Sequence, residues 1–363
     1  MAHPEGRAVN RFERRPTATL LAVFVFGFIL TLGLLEGTAR LLFHDVNFVG
    51  ESGALWAPKQ FGNTRGYWPN ARGVSWGAEV VTDAFGFRFD PTLGRREGKP
   101  AVVFIGDSVT FGVGVDARET LVGRVARQLG GYRILNASAT GYGAQDYLNV
   151  ARNFVVPKRL SLDCRRVVVV VTLNDILESK TLEPRQETAL PDEHYSGVAA
   201  WAWRFNRGLG LNEYLIGRSK LYLLAKRAAF DGSRAWFAAD AAPYADPAKV
   251  AALSRRLEEL RSLLVEAGVA VDLILLPYEY QLRTGSLESR EPQRRLALAL
   301  ERRGVPILDL FEPIRARMAA RSLSSRTLYL FNDHCHLSRV GHEIVAEAIL
   351  RILASSGESA TAR

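Results

Sequence analysis

An uncharged apolar segment near the N-terminus is the strongest feature of the hydrophobic pattern. It runs for 19 residues, over positions 17–35, and places Phe, Leu and Val on every face of a helix. A bilayer is spanned by roughly 20 apolar residues in helical conformation. Apolar side chains on every face argue against a core helix of a soluble domain. The pattern therefore predicts a transmembrane anchor over residues 17–38, after a short tail at 1–16.

The charges on either side of the segment predict its orientation. Four arginines precede it, at positions 7, 11, 14 and 15, whereas Glu36 and Arg40 follow it. The positive-inside rule then leaves the tail in the cytoplasm and the rest of the chain beyond the inner membrane, on the periplasmic or extracellular side. A cleaved signal peptide is the competing interpretation. Its apolar core would be shorter, and no small-x-small cleavage site precedes Arg40.

The pattern changes twice beyond the anchor. Residues 39–99 are rich in Gly, Trp, Phe and Asn without a helical period, which predicts a juxtamembrane segment of short strands and turns packed on the main domain. From Ala101 onwards, apolar runs of strand length alternate with amphipathic helices, the clearest at residues 249–268. Five strands buried on both faces and separated by helices predict a parallel sheet in an α/β sandwich over residues 100–355.

One segment interrupts this alternation. Residues 178–247 contain Trp, Tyr and Phe in no repeated order and are predicted to be an insertion between the third strand and the long helix. Such an insertion emerges on the side of the sheet where loops follow the strands, so it could form a lid or a substrate wall, or simply cover the domain. The polar tail at 356–363 is predicted to be disordered.

Composition narrows the classes of partner. The net charge of +9 is spread along the chain without a basic block or a zinc-finger spacing, so nucleic acid is not an expected partner. Attraction to anionic lipid or polysaccharide is compatible with this charge. The two cysteines, Cys164 and Cys335, are predicted to lie at opposite ends of the sheet and therefore to be free thiols.

Three strand ends carry candidate chemistry. Ser108 follows the first strand in IGDSVTFG, Gly141 follows the second in NASATGYG, and Asn174 follows the third in TLNDI. A serine at a strand-to-helix turn exposes its hydroxyl beside backbone N–H groups, although serine is also a common helix N-cap. Glycine allows a backbone N–H to approach a ligand, and an asparagine amide can donate to an oxyanion or tie down a loop.

A fourth candidate lies near the C-terminus, in FNDHCHLSRVGH, which holds three of the six histidines. Asp333 and His336 are three residues apart, so that a carboxylate could orient an imidazole and leave its Nε2 free to accept a proton from serine. His334 and His336 also form an H-x-H pair that suggests zinc, but no partner motif supplies a third ligand. His334 and His342 are expected to be structural.

Taken together, these four motifs resemble blocks I, II, III and V of the SGNH (GDSL-type) hydrolases, across residues 100–355. The resemblance implies a flavodoxin-like α/β/α sandwich with about five parallel strands. It also implies Ser108 as nucleophile, His336 as general base and Asp333 as its partner. The N–H groups of Ser108 and Gly141, with the Asn174 amide, would form the oxyanion hole. No metal and no cofactor are implied, and the HLSRVGH sequence is similar to bacterial members with an N-terminal anchor.

The function that follows is hydrolysis of an acyl ester through an acyl-serine, with an O-acylated carbohydrate as the expected substrate. An O-acetyltransferase for exported polysaccharide would use the same residues, and a membrane-tethered binding or assembly protein without catalysis is a third hypothesis. Tyr280, Gln281 and Arg283 follow the fourth strand and are candidates for binding a sugar or a carboxylate, although loop packing explains them equally well.

Overall fold

The computed structural model describes residues 15–43, 48, 50–177, 201 and 209–361. The first helix, α1 (Pro16–Leu42), has 27 residues, and an 18-residue window within it has a mean hydropathy of 2.5 with no buried residue. At 1.5 Å per residue it is about 40 Å long, which exceeds the roughly 30 Å hydrocarbon core of a bilayer. Among the described residues it is the one helix long and apolar enough to cross a membrane.

Two small antiparallel sheets follow α1, where short strands were expected. The first pairs β1 (Trp56–Phe61) with β2 (Thr64–Tyr67), and the second pairs β3 (Arg72–Ser75) with β4 (Ala78–Val81).

Arg88 joins these hairpins to the main domain. Its buried guanidinium donates to the carbonyls of Phe111, Gly112 and Val115, and also to that of Glu79 in β4. Burial lowers the pKa of Arg88 to about 10, which still leaves the group charged at neutral pH. One buried cation therefore holds β4 against the segment that follows Ser108.

The central sheet confirms the predicted α/β class. Its five parallel strands lie in the order β6-β5-β7-β8-β9. Numbered by appearance within this sheet the order is 2-1-3-4-5, the flavodoxin-like arrangement. The strands are β5 (Ala101–Ile105), β6 (Arg133–Asn136), β7 (Cys164–Val171), β8 (Ala270–Leu275) and β9 (Leu308–Asp309).

The helices form two groups. Crossovers between parallel strands are right-handed. The β5–β6 connection moves towards one edge of the sheet, whereas the later connections move towards the other edge. Its helix therefore lies on the opposite face of the sheet from theirs. Accordingly α3 packs with the closing helix α14, whereas α4 and α11 pack with α9. The helices are α2 (Ser108–Phe111), α3 (Leu121–Gln128), α4 (Ala144–Val150), α5 (Val156–Lys158), α6 (Leu211–Ile216), α7 (Lys220–Ala229), α8 (Gly232–Ala241), α9 (Pro247–Glu266), α10 (Glu279–Thr284), α11 (Leu287–Glu301), α12 (Phe311–Ala320), α13 (Ser325–Leu328) and α14 (Arg339–Thr361).

The predicted insertion and the C-terminal tail are each described in part. The expected insertion supplies α6, α7 and α8, while its residues 178–200 and 202–208 lie outside the described part of the chain. The closing helix continues to Thr361, so residues 356–361 are helical where a disordered tail was expected, and 362–363 are not described. The two cysteines are free and buried, as expected.

The insertion is attached to α1 through the start of α7. The Glu36 carboxylate accepts hydrogen bonds from the Lys220 and Leu221 N–H groups, at 3.1 and 2.9 Å, and from the Ser219 hydroxyl at 2.8 Å. Lys220 Nζ donates in turn to the carbonyl of Phe43 at 2.8 Å. A carboxylate at these positions satisfies N–H groups that a helix start leaves unpaired, so α1 caps α7.

His342 links α14 to α3 in the interior. It is fully buried, and its Nδ1 accepts a hydrogen bond from the Leu121 N–H at 3.0 Å, in keeping with the structural role expected for it. Burial, together with the charges of Arg88 and Arg124, lowers the pKa of His342 to about 3. The folded protein therefore keeps this imidazole neutral down to acidic pH.

This burial predicts a specific loss of stability in acid. Between pH 6.5 and about 3 the unfolded chain binds a proton at His342 that the folded chain does not, so stability falls by about 1.4 kcal/mol per pH unit as the pH falls. We expect His342→Asn to lower the free energy of unfolding at pH 8 but to flatten its pH dependence between pH 6 and 4. Urea unfolding at several pH values measures both, and parallel curves for the two proteins would contradict the assignment.

Candidate active site

The turn after β5 leaves no room for a side chain at Gly106. A Cβ there would lie 2.2 Å from Thr110 Oγ1 and 3.1 Å from the Val170 carbonyl oxygen. Glycine thus lets β5 turn sharply into α2 while staying against β7. Gly112 closes the short helix with a left-handed φ of 82°. Ser108 is consequently held at the carboxyl edge of the sheet, where open α/β sheets bind ligands.

Ser108 is not the N-cap of α2. That position belongs to Asp107, whose carboxylate accepts a hydrogen bond from the Val109 N–H at 2.9 Å. The Ser108 hydroxyl instead lies 2.8 Å from Nε2 of His336. Because the neighbouring residue performs the capping, the serine hydroxyl is left to interact with the imidazole.

Asp333 fixes the imidazole from the other side. Its Oδ2 lies 2.8 Å from His336 Nδ1, and its Oδ1 accepts hydrogen bonds from the backbone N–H groups of Cys335 and His336 at 2.9 and 2.8 Å. Burial alone would raise the pKa of Asp333, but its contacts with His336 hold the pKa well below the ordinary value. The carboxylate is therefore ionised at neutral pH and orients the ring through Nδ1.

Trp76, between β3 and β4, covers the imidazole. Its ring centroid lies 4.6 Å from that of His336. The residue occupies the β3–β4 turn with a left-handed φ of 47°, and its N–H donates to the Gly50 carbonyl at 2.7 Å. The sequence did not predict this contact, because Trp76 and His336 are 260 residues apart and no local pattern connects them. A Trp-Gly turn between two short strands was the one available clue.

The loop that carries Gly141 is braced by residues that precede the central sheet. Gly141 has a left-handed φ of 76°. The hydroxyl of its neighbour Thr140 donates to Glu51 Oε2 at 2.8 Å, and the Tyr67 hydroxyl donates to Glu51 Oε1 at 3.0 Å. Burial raises the pKa of Glu51. Glu51 and Tyr67 thus fix the backbone at the second strand end.

Asn174 lies in the turn that follows β7, close to the start of α2. The Thr172 hydroxyl is within hydrogen-bonding distance of Asp107 Oδ2, at 3.1 Å, and also of the Asn174 side chain. The Asn174 N–H donates to the Tyr278 hydroxyl at 3.1 Å. Burial raises the pKa of Asp107. These contacts connect the asparagine to the residue that precedes Ser108.

A carboxylate of the insertion joins the asparagine loop to the histidine loop. Asp240, at the end of α8, accepts a hydrogen bond from the Tyr278 hydroxyl at 2.9 Å, and its Oδ2 lies 3.3 Å from His334 Nε2. Trp236, one turn earlier, stacks on His334 with ring centroids 5.8 Å apart. Sequence reasoning missed Asp240, since an isolated acid in an irregular insertion gives no signal of its partners.

The H-x-H region brings Asp333, His334 and Cys335 together, with one ligand atom from each within 4.8 Å of the others. In this arrangement the Asp333 carboxylate is engaged by His336, and His334 lies against Asp240. Cys335 Sγ is 3.3 Å from His334 Nε2. In this structure, the side chains of Asp333, His334 and Cys335 therefore contact other side chains of the protein through these atoms.

Of the three residues expected to bind substrate, Gln281 serves packing. Gln281 is fully buried; its amide donates to the Ser289 carbonyl at 2.7 Å and its oxygen accepts from the Tyr278 N–H at 2.8 Å. Its expected contact with substrate is therefore corrected to a structural role. Arg283 pairs with Asp231 at 2.8 Å, and Tyr280 packs its ring 5.1 Å from that of Phe237. Both side chains hold the insertion against α10.

Comparison with known proteins gives only distant matches. No family model and no curated protein matches the chain. Its structure is similar to that of a lipolytic G-D-S-L family protein from Veillonella parvula, with 12% identity, a TM-score of 0.37, and coverage of 70% of this chain and 98% of the other.

Two further solved structures have similar scores. A lipase/acylhydrolase from Enterococcus faecalis has 16% identity and a TM-score of 0.37, with coverage of 71% and 96%. An acetylxylan esterase from Geobacillus stearothermophilus has 18% identity and a TM-score of 0.35, with coverage of 70% and 94%. Identities and TM-scores of this size establish no family, so the assignment of function rests on the residues of this chain.

The geometry predicts that Ser108 is a reactive serine. A fluorophosphonate should label the chain once, because the imidazole accepts the hydroxyl proton during attack on phosphorus. We expect Ser108→Ala to abolish labelling and Asp333→Asn to slow it by roughly 10³–10⁴-fold, since the imidazole loses its orientation. Ser161→Ala, at an exposed serine, is the matched control and should label normally. Full labelling of Ser108→Ala would contradict the assignment.

Proposed function

We propose that this chain is a serine-dependent acyl-ester hydrolase of the SGNH type. The observation that carries the proposal is the continuous series of contacts from Ser108 Oγ to His336 Nε2, at 2.8 Å, and from His336 Nδ1 to Asp333 Oδ2, also at 2.8 Å. Serine, histidine and an ionised aspartate at these separations form the arrangement that activates a hydroxyl for acyl transfer. The flavodoxin-like sheet supports the proposal because it brings the strand-end motifs to one edge.

In the proposed mechanism, Ser108 Oγ attacks the ester carbonyl carbon while His336 Nε2 accepts the hydroxyl proton. The tetrahedral intermediate collapses to an acyl-serine, and His336 returns the proton to the departing alcohol. Water then attacks the acyl-serine while His336 Nε2 accepts a proton from it. The second intermediate collapses to release the acid product, and His336 returns the proton to Ser108 Oγ. Asp333 stays ionised throughout and stabilises the imidazolium that forms in each step.

The negative charge of each intermediate develops on the former carbonyl oxygen. We assign its stabilisation to the N–H groups of Ser108 and Gly141 and to the Asn174 amide. The left-handed turn at Gly141 and the hydrogen bond that holds the Asn174 backbone to Tyr278 support this assignment, because both fix donors before substrate arrives. Preorganised donors need no rearrangement as the charge develops, and this is the source of their effect.

We propose further that α1 is retained as a single membrane span, with the catalytic domain on the periplasmic side. Glu36 supports retention, since it caps the start of α7 through Ser219, Lys220 and Leu221. Removal of α1 by a signal peptidase would leave those donors without their carboxylate. An ester of an exported carbohydrate is the substrate class that best suits this location.

Transfer to an acceptor alcohol is the second candidate function. Ser108 is only 9% exposed, the His336 side chain is 11% exposed, and Trp76 covers the imidazole. Restricted access of water to the acyl-serine would favour an acceptor that binds in the site over hydrolysis. The same residues would serve both reactions, and the acceptor would take the place of water in the second step.

The oxyanion assignment predicts the kinetic effect of two substitutions. Asn174→Ala should lower kcat for 4-nitrophenyl acetate by about 10²–10³-fold, because one donor to the oxyanion is lost. Tyr278→Phe should lower kcat by roughly 3–10-fold, because Asn174 loses one backbone hydrogen bond. KM should change little in both variants, since the donors act mainly in the transition state.

Tyr222→Phe is the matched control for these measurements. Tyr222 also donates its hydroxyl to a side chain, Asn212 at 3.0 Å, but within the insertion and away from the strand ends. The kcat of the Tyr222→Phe variant should equal that of the unmodified chain. An Asn174→Ala protein with an unchanged kcat would overturn the assignment of this residue.

Partition of the acyl group separates the two candidate functions. The full-length chain in detergent is incubated with 4-nitrophenyl acetate, with and without an oligosaccharide acceptor, and free acetate and acetylated sugar are quantified. Hydrolysis predicts Ser108-dependent acetate release at the same rate with and without acceptor. Transfer predicts slow release that accelerates when acceptor is added, with acetyl found on the sugar. A chain that neither turns over nor reacts with fluorophosphonate would support the non-catalytic binding protein.

A further inference from the structure

An exposed apolar patch lies where α1 meets the insertion. We define the junction patch as Leu41, Leu42, Leu209, Leu211 and Tyr214. Their exposed fractions are 81%, 68%, 59%, 40% and 57%. Large exposed apolar side chains that cluster on a surface often mark a site of interaction with a partner or a membrane. The patch combines the last turn of α1 with α6 and Leu209, in the middle of the insertion.

The contacts of Glu36 fix the position of the patch along α1. Because Glu36 binds residues 219–221, the start of α7 lies beside the point at which the uncharged segment of α1 ends. Only Gly217, Arg218 and Ser219 separate α6 from α7, so Leu211 and Tyr214 stay near that level. With α1 across a bilayer, this level corresponds to the boundary between hydrocarbon and headgroups.

The polar groups around the patch are those expected at such a boundary. Arg40 Nη2 donates to the Arg218 carbonyl at 2.6 Å, and the Arg218 guanidinium lies 4.4 Å from the centre of the Tyr214 ring. Tyrosine rings favour the headgroup level of membranes, and arginines there keep their charge in contact with headgroups. The combination of exposed leucines, an aromatic ring and cations is typical of helices that lie in the membrane interface.

We propose that the junction patch binds the outer surface of the phospholipid bilayer, so that α6 lies in the interface beside α1. The bilayer is preferred to a protein partner because Arg40 of α1 binds the Arg218 carbonyl and Arg218 contacts Tyr214, which places the patch beside the helix proposed to span the membrane. This inference rests on the proposed membrane span and is independent of the proposed hydrolase activity. Through α7 and α8, the same insertion reaches His334 and Asn332 at the candidate active site.

Site-specific fluorescence quenching tests the proposal with the full-length chain. Leu211→Cys and Tyr214→Cys are each labelled with a small environment-sensitive thiol dye and reconstituted into phosphatidylethanolamine–phosphatidylglycerol nanodiscs that carry spin-labelled lipid. Phe28→Cys, within α1, is the positive control. Leu160→Cys is the matched negative control, since Leu160 is 81% exposed and precedes β7, at the opposite edge of the sheet from the site. The native cysteines are buried, and the unmodified chain measures any labelling of them.

The proposal predicts that the dyes at 211 and 214 lose fluorescence to spin-labelled lipid, whereas the dye at 160 does not. Quenching at 28 without quenching at 211 and 214 would overturn the interfacial patch while leaving the membrane span intact. Absence of quenching at 28 would overturn the span and the patch together. Fluorophosphonate labelling of the same proteins reports on Ser108, so failure of the hydrolase proposal is detected separately.

Discussion

The parallel pairing of β5 with β7 is the constraint on which the candidate site depends. Both strands are buried along most of their length, and the pairing aligns Ile105 with Val169. This register brings the turn that carries Ser108 beside the turn that carries Asn174. Thr172 and Asp107 complete the connection through their side chains. The site is therefore a product of strand register, since a shift of one residue would move Thr172 and Asn174 by about 3.3 Å relative to Asp107 and Ser108.

The sequence predicted the parts of the site that follow from strand ends. Ser108, Gly141, Asn174 and the Asp333–His336 pair each follow an apolar run or share one short loop, so that topology alone brings them to one edge. Trp76 and Asp240 could not be predicted in this way. Each reaches the histidine loop from a segment with no regular pattern, and such contacts depend on the packing of side chains distant in sequence.

The error at Gln281 has a related cause. Its position after β8 is on the correct side of the sheet, but α10 turns this side chain inward to Ser289 and Tyr278. The sequence predicts which residues lie at the carboxyl edge of the sheet. It does not predict how a short helix at that edge is rotated, because packing determines which of its side chains point inward. The contacts of Tyr280 with Phe237 and of Arg283 with Asp231 in the insertion were likewise not predictable from the sequence.

Arg88 connects the residues before position 100 to the interior of the α/β sandwich. A chain shortened to start at residue 100, where the regular strand–helix alternation begins, would lack this guanidinium, and the carbonyls of Phe111, Gly112 and Val115 would lose their donor in the interior. Buried carbonyls without a partner are costly, and here they lie in the residues that follow Ser108. Through Arg88 the hairpins share buried hydrogen bonds with the α/β sandwich, so residues 50–99 are expected to act as part of the domain core and not as a linker.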